Sequence, residues 1–299
     1  MRVTSLGSGS SGNALLVEAG PRGRTKLLVD VGLPPRTLLE RLRLAGALPT
    51  QLQGVLVTHE HGDHIIGLPL LNKRYAIPII AAPDTLAAIE QSFISGTWYT
   101  DSGPLPEPSF ELETQNGKLR RGIPLPVGTS CVIGDIEVTS FPVSHDAVSP
   151  CGYLLRAGGC RVCIAIDSGE VTTTMLDMMR HADLLVLESN HDRDRLLRGP
   201  YPYHLKMRIL SSTGHLSNAQ AAEAVLQTWR ADSVRWLWLS HLSRTNNTPK
   251  LALQSMLSSL SAAKANLYQL HICVLPPGMG GVWDSTQLWH SPSLWEMEE

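Results

Sequence analysis

Residues 58–64 have the sequence Thr58-His59-Glu60-His61-Gly62-Asp63-His64 and directly follow the apolar run 54–57. Three histidines and one aspartate therefore stand close together just after a segment of strand length. In an extended turn alternate side chains project the same way, so His59 and His61 can bind one metal ion. Asp63 and His64 then face the other side and suit a second ion. Imidazole and carboxylate ligands together favour zinc, manganese or iron over calcium.

Side chains that can bind a metal ion also occur at the ends of further apolar runs of strand length. These side chains stand at or just after the ends of their runs, at His145, Asp167, Glu188 and His241. Because strand ends converge on one edge of a layered α/β fold, we expect all of them to lie near residues 59–64. The sequence thus predicts a single site assembled from several strand ends.

Apolar runs alternate with amphipathic segments along the chain, which favours an α/β fold with a buried sheet and outer helices. Strands are predicted at residues 14–18, 26–31, 54–57, 77–81, 132–143, 152–156, 161–166, 184–187, 235–239 and 271–275. Helices are predicted at residues 36–45, 64–75, 84–95, 172–181, 218–230 and 249–263. We expect an irregular insertion or lid at residues 96–130, a second excursion at residues 190–213, and a tail at residues 276–299 that packs on the body.

The composition is that of an ordinary globular protein. The chain has 299 residues, of which 43% are hydrophobic, so it can bury a sizeable core. The formal net charge is −2, so any nucleic-acid binding must come from a local basic patch. The five cysteines show no disulfide-framework spacing, and no segment has the apolar length of a membrane span. A cytoplasmic location is therefore expected, while the oligomeric state is not indicated.

The ligand pattern resembles that of the metallo-β-lactamase superfamily, whose signature is an HxHxDH loop followed by a later His, a bridging Asp and a final His. Residues 59–64, His145, Asp167 and His241 match those positions. The resemblance implies a four-layer αββα sandwich that spans residues 1–299 as a single domain. It also implies a first metal ion held by His59, His61 and His145, and a second held by Asp63, His64 and His241, with Asp167 bridging them.

Other motifs resemble the WalJ/YycJ (VicX) group within this superfamily. They are Ser5-Leu6-Gly7-Ser8-Gly9-Ser10-Ser11-Gly12-Asn13, Leu28-Val29-Asp30-Val31-Gly32, Glu188-Ser189-Asn190-His191-Asp192, Gly199-Pro200-Tyr201-Pro202, Gly214-His215-Leu216-Ser217-Asn218, and His241-Leu242-Ser243 with Asn246-Asn247. The resemblance implies a DNA exonuclease that acts from the 5′ end with Mn²⁺ or Zn²⁺ in a bacterial cytoplasm. We expect the Gly/Ser-rich opening to form a tight hairpin, because it lacks the Gly-Lys-Ser/Thr ending of a nucleotide-binding P-loop.

His215 stands just before a predicted helix and is not part of the ligand pattern. Phosphodiesterase branches of the superfamily, including tRNA 3′-processing ribonucleases, carry a comparable histidine paired with a carboxylate. By that resemblance Glu188 and His215 form a proton-transfer pair for the leaving oxygen, and Asp63 orients the nucleophile. The alternative is that His215 only hydrogen-bonds a helix N-terminus.

Substrate contacts are predicted from a second set of residues. The stretch from His191 to Arg208 interleaves basic residues with tyrosines, which suit phosphate contacts and base stacking. Asp192 and Asp194 reduce the positive charge of this stretch. The alternative is therefore that the stretch is a solvated charged segment that does not bind substrate. The residues expected to contact substrate are Asn218, Ser243, Asn246 and Arg208.

Three rival functions remain open at this level. A hydrolase for lactones, thioesters or other small esters would not need a proton donor such as His215, because its leaving groups are better. A ribonuclease is the closer rival to a DNA exonuclease. However, only 74 positions separate Asp167 from His241, which leaves no room for the extra domain of β-CASP ribonucleases. A non-catalytic binding protein is disfavoured because the ligand set is complete.

Overall fold

The computed structural model describes residues 1–97, 99–100, 103–104, 119–230 and 233–288. About half of the predicted insertion (residues 98, 101–102 and 105–118), and the end of the predicted tail beyond residue 288, therefore lie outside the described residues. Two seven-stranded sheets form the centre of the molecule. A small hairpin of two strands, β6 (Tyr99–Thr100) and β7 (Gly103–Pro104), stands apart from them.

The first sheet has the strand order β16-β1-β2-β3-β4-β5-β8. Its strands are β1 (Arg2–Gly7), β2 (Ala14–Ala19), β3 (Thr25–Val29), β4 (Gly54–Leu56), β5 (Ile79–Ala81), β8 (Gly122–Pro124) and β16 (Val282–Asp284). Pairing is antiparallel from β16 to β3 and parallel from β3 to β8. In the tail, β16 pairs with β1 and buries Trp283.

The second sheet runs in chain order from β9 to β15. Its strands are β9 (Ser130–Ile133), β10 (Ile136–Pro142), β11 (Cys151–Ala157), β12 (Cys160–Ala165), β13 (Leu184–Glu188), β14 (Arg235–Ser240) and β15 (Leu270–Val274). The strands from β9 to β12 are antiparallel, and those from β12 to β15 are parallel. The carboxyl ends of β10, β12, β13 and β14 consequently lie at the same edge.

Helices cover the outer faces of both sheets. They are α1 (Pro35–Leu44), α2 (Gly62–Ile65), α3 (Leu68–Leu70), α4 (Pro83–Ser95), α5 (Thr173–Arg180), α6 (Arg193–Arg198), α7 (Tyr203–Ile209), α8 (Asn218–Gln227) and α9 (Pro249–Ala262). Short 3₁₀ turns occupy Pro21–Gly23, Pro49–Gln51, Leu267–Gln269 and Ser285–Leu288, and Leu71–Tyr75 is π-helical. None of the helices in the described residues is long and apolar enough to cross a membrane.

Three buried apolar clusters separate four layers. The central cluster lies between the sheets and includes Val17, Tyr153 and Trp238. A second cluster packs the first sheet against α1 and α4, and a third packs the second sheet against α5, α8 and α9. Because both faces of each sheet are covered, most central strands are apolar on both sides, whereas β10 still alternates buried and half-buried residues. The structure confirms the predicted αββα sandwich.

Three predicted elements differ from the structure. The apolar run 132–143 is a hairpin, because Gly134 adopts a left-handed φ of 57° and turns the chain between β9 and β10. The predicted helix 64–75 is broken into α2, α3 and a π-helical turn, where Gly67 and Pro69 interrupt it. The excursion 190–213 contains α6 and α7, whose short apolar faces gave too weak a periodic signal.

Candidate metal centre

The predicted ligands converge at one edge of the sandwich. His59 follows β4 of the first sheet, while His145, Asp167 and His241 follow β10, β12 and β14 of the second. Every predicted ligand is buried, with exposures of 0 to 7%. The site therefore lies between the two sheets, and each sheet contributes part of it.

His59, His61 and His145 form the first group that could hold a metal ion. One ligand atom from each lies within 4.8 Å of the others. The His61 Nδ1 and His145 Nε2 atoms are 3.3 Å apart, and the rings of His59 and His61 meet edge to face with centroids 4.6 Å apart. Three imidazoles thus point at a common position.

Asp63, His64 and His241 form the second group, also within 4.8 Å. Asp63 Oδ2 is 3.7 Å from His64 Nε2 and 3.5 Å from His241 Nε2. Asp167 lies between the groups, because its Oδ2 is 2.6 Å from His64 Nε2 and 3.8 Å from His59 Nε2. Its position is the one that a carboxylate shared by two ions would occupy.

The donor atoms at this edge fit divalent metal ions. His59 Nε2 and Asp63 Oδ1 are buried and form no hydrogen bond with any described residue. Buried polar atoms without partners are costly, and a cation between these groups would satisfy both. Burial and the neighbouring His64 and His61 rings hold the pKa of His59 well below its usual value, so this imidazole stays neutral, the form that binds metal.

Asp167 contributes negative charge to the site. Burial acts to raise the pKa of its carboxyl, but His241 and His64 outweigh burial and hold the pKa well below the usual range. The carboxylate is therefore ionised at neutral pH, as a metal ligand must be.

Asp30 supports the histidine loop from behind. Its Oδ2 lies 2.8 Å from His64 Nδ1 and accepts a hydrogen bond of 2.9 Å from Thr58 Oγ1. Its Oδ1 accepts from the Thr58 backbone N–H at 2.9 Å. Such a carboxylate fixes the ring orientation of a metal-binding histidine. Asn13 of the Gly/Ser-rich loop also reaches the site, with Nδ2 3.0 Å from His64 Nε2.

Three residues of this edge have a left-handed backbone that is rare for non-glycine residues. Asp30, Asp167 and His241 have φ values of 58°, 54° and 54°. Each stands one or two residues past a strand end, where the chain turns to aim the side chain inward. Such conformations cost about 1–3 kcal/mol each and are typical of functional sites. No sequence signal indicated them.

Glu188 and His215 form a hydrogen-bonded pair next to the ligands. Glu188 Oε1 lies 2.7 Å from His215 Nδ1, and Glu188 Oε2 accepts from the backbone N–H groups of Ser168 (2.9 Å) and Leu216 (3.2 Å). Burial acts to raise the pKa of Glu188, but His215 and His241 outweigh it, and the pKa lies below its usual value. Helix α8 is capped by Ser217 and not by His215.

The His215 ring also lies close to the first ligand group. Its centroid is 5.1 Å from that of His145. Ligand atoms of Asp167, Glu188, His215 and His241 fall within 4.8 Å of one another, so distance alone would also allow His215 to bind an ion.

The predicted substrate residues fall into two sets. Asn218 and Asn246 are 3% and 0% exposed, and the Asn218 amide oxygen accepts from Ser189 Oγ and Asn247 Nδ2. These two amides lie in the interior behind the site. Ser243 and Arg208 are partly exposed, and Arg208 Nε donates to Asp146, the residue after His145.

The basic stretch is less available for phosphate than its sequence suggests. His191 is buried, and burial lowers its pKa to about 4, so it is neutral at pH 7 and not a cation. Arg195 Nε donates to Thr245 O, and Lys206 Nζ donates to Leu197 O. Several of these cations therefore hold α6 and α7 in place.

Residues 15–235 match the family model described as the β-lactamase superfamily domain. The chain belongs to the metallo-β-lactamase superfamily. Within it the chain is 36% identical over 258 residues to exodeoxyribonuclease WalJ of Streptococcus pneumoniae serotype 2 (strain D39 / NCTC 7466), covering 86% of this chain and 87% of that protein. It is also 36% identical over 251 residues to exodeoxyribonuclease YycJ of Bacillus anthracis, covering 84% and 86%. The predicted WalJ/YycJ-like membership is confirmed.

More distant superfamily members show the same fold. Ribonuclease Z of Bradyrhizobium sp. (strain ORS 278) is 25% identical over 272 residues, covering 77% of this chain and 83% of that protein. The crystal structure of the metallo-β-lactamase fold protein YhfI from Bacillus subtilis superimposes with a TM-score of 0.65 at 18% identity, covering 95% and 99%. The similarity to YhfI concerns the fold alone.

Proposed function

We propose that this protein is a metal-dependent phosphodiesterase that degrades DNA from a 5′ end with two divalent ions, Zn²⁺ or Mn²⁺. The observation that carries the proposal is the buried Glu188–His215 pair beside two groups of metal-binding side chains. The similarity to exodeoxyribonucleases WalJ and YycJ supports the choice of DNA.

The ions would be held by the groups described above. His59, His61 and His145 would bind the first ion, and Asp63, His64 and His241 the second, with Asp167 contacting both. Ions bound there would supply an activated water molecule at neutral pH and offset the charge that develops on the phosphoryl oxygens. Asp63 Oδ1, which forms no hydrogen bond with a described residue, would orient the attacking water.

His215 would supply the proton that DNA cleavage requires. A nucleoside alkoxide is a poor leaving group, so its protonation is worth about 10²–10⁴-fold in rate. His215 Nδ1 lies 2.7 Å from Glu188 Oε1, and we assign the donated proton to Nε2. The water oxygen bonds to phosphorus and gives one proton to the Asp63 carboxylate, the bond from phosphorus to O3′ breaks, and the His215 proton goes to O3′. The products are a free 3′-hydroxyl and a shortened strand with a 5′-phosphate.

Substrate contacts would come from the exposed members of the predicted set. Ser243 stands just past the ligand His241, and Arg208 lies on α7 beside Asp146. Asn218 and Asn246 would act indirectly, because both side chains are buried. We further propose that the chain forms a single domain. The five free cysteines fit a reducing cytoplasm.

The test is a nuclease assay with Mn²⁺ or Zn²⁺ on duplex and single-stranded DNA and RNA, labelled at either end. A lactone and a thioester run beside them. We expect mononucleotides released progressively from the 5′ end of DNA, and no turnover of either small ester. Preference for RNA would favour a ribonuclease instead, the alternative supported by the similarity to ribonuclease Z. Turnover of an ester without any nucleic-acid cleavage would contradict the proposal.

A further inference from the structure

An open pocket adjoins His215 on the side of α7. Its volume is about 370 Å³, counting the space that is open to solvent. One wall is apolar and consists of Tyr201, Leu205 and Ile209. The facing wall is made of Ser10 from the Gly/Ser-rich loop together with Asn190 and Ser243 from the ends of two strands. With His215, five separate segments of the chain build this pocket.

The lining of the pocket suits an uncharged group better than a phosphate. No lysine, arginine or carboxylate belongs to the lining, whereas phosphate recognition relies on cationic donors. The Tyr201 ring can stack on a nucleobase, which stacks on aromatic side chains regardless of its identity. The hydroxyls of Ser10 and Ser243 can bond to the polar edge of a base or a sugar. Because this space is open to solvent, the lining would contact one side of a base or sugar and would not enclose it.

The polar wall is tied to the metal centre. Asn190 Nδ2 donates to the His241 carbonyl at 3.1 Å, and the Ser243 N–H donates to the Asn190 carbonyl at 2.8 Å. A group seated against this wall is therefore held at a fixed distance from the ligand His241. His215 itself is one of the lining residues.

We propose that this pocket holds the 5′-terminal nucleoside of the DNA strand, which is the leaving group of each cleavage. The inference rests on the proposed function. It adds the place at which the 5′-terminal nucleoside of the DNA binds. A proton donor must reach the oxygen that departs, so the departing nucleoside occupies the space next to His215. A nucleoside seated against this lining would place the first phosphodiester beside His215 and the metal-binding groups, as cleavage from a 5′ end requires.

The experiment compares two single-stranded oligonucleotides that differ only at the 5′ end. One begins with thymidine and the other with an abasic tetrahydrofuran residue, and the rate of cleavage at the first linkage is measured. The wild-type protein should cleave the abasic substrate about tenfold more slowly, since base stacking on an aromatic side chain typically contributes that much. Tyr201→Ala should cleave both at the slow rate, while Tyr201→Phe should keep the preference for thymidine.

Tyr268→Ala is the matched control, because Tyr268 is 95% exposed and does not line the pocket. It should retain the tenfold difference. Equal wild-type rates on both substrates, or cleavage of circular single strands as fast as linear ones, would overturn the inference while leaving the nuclease activity intact. An equal loss on both substrates in Tyr201→Ala would also overturn it. Failure of the proposed function looks different, since wild-type protein would then cleave neither oligonucleotide.

Discussion

The metal-ligand groups and the Glu188–His215 pair lie side by side, but their polar atoms are satisfied differently. His59 Nε2 and Asp63 Oδ1 have no hydrogen-bond partner among the described residues. Glu188, in contrast, places both oxygens on N–H groups of the chain. Added cations would satisfy these atoms of the predicted ligands, whereas the pair already has its partners within the chain. Mutations should therefore separate metal binding from proton transfer.

The largest effect is expected at the ligand groups. In His61→Ala the first ion loses one of three imidazoles, so bound metal should fall and DNA turnover should drop about 10⁴-fold, as loss of several kcal/mol of metal catalysis implies. Metal content by mass spectrometry and turnover are measured on the same preparation. His181→Ala is the control, because His181 is exposed at the end of α5. Wild-type turnover of His61→Ala after chelation and metal add-back would contradict the assignment.

Removal of the proton donor should leave metal binding intact. In His215→Ala we expect wild-type metal content and a loss of about 10³-fold in turnover on DNA, within the usual range for general acid catalysis. The same two measurements apply. A simultaneous loss of metal would show that His215 is a ligand, which its distance to Asp167 and His241 permits.

A smaller effect is expected at Asp30, which contacts His64 but is not a predicted ligand. Asp30→Ala removes the carboxylate that orients His64, so metal affinity should fall about 10- to 100-fold while saturating metal restores activity. Titration of the metal-free protein with Mn²⁺ or Zn²⁺ measures this affinity. Unchanged affinity would mean that Thr58 and the loop backbone alone position His64.

The smallest effect is expected at the opposite end of the sandwich. There Asp135 accepts hydrogen bonds from Arg24 and Thr25, which joins the two sheets, and these bonds lower its pKa to about 2. A lowered carboxyl pKa stabilises the fold above pH 4, and this contribution is lost as the pH falls towards 2. Asp135→Asn should therefore lower Tm slightly at pH 7, with the difference disappearing by pH 2 and with turnover unchanged. A Tm difference that persists at low pH would contradict this origin.

The contrast between these regions also explains what the sequence could predict. The ligands stand at strand ends, and strand ends share an edge, so local patterns were enough to bring His59, His145 and His241 together. The contact of Asn13 with His64 depends on how a distant loop folds over the site, which no local pattern encodes. The residues that contact substrate were predicted least well. His191 carries a potential charge in the sequence, but burial keeps it neutral.

The central claim is that the metal ions and the Glu188–His215 pair have separate roles in cleavage. The most direct test is to compare substrates whose leaving groups differ in their need for a proton. Wild-type protein and His215→Ala are compared on DNA and on bis(p-nitrophenyl) phosphate, whose leaving group departs without a proton. We predict that the variant loses about 10³-fold on DNA but less than about tenfold on the nitrophenyl ester. An equal loss on both substrates would contradict the role of the Glu188–His215 pair as the proton source for the leaving nucleoside.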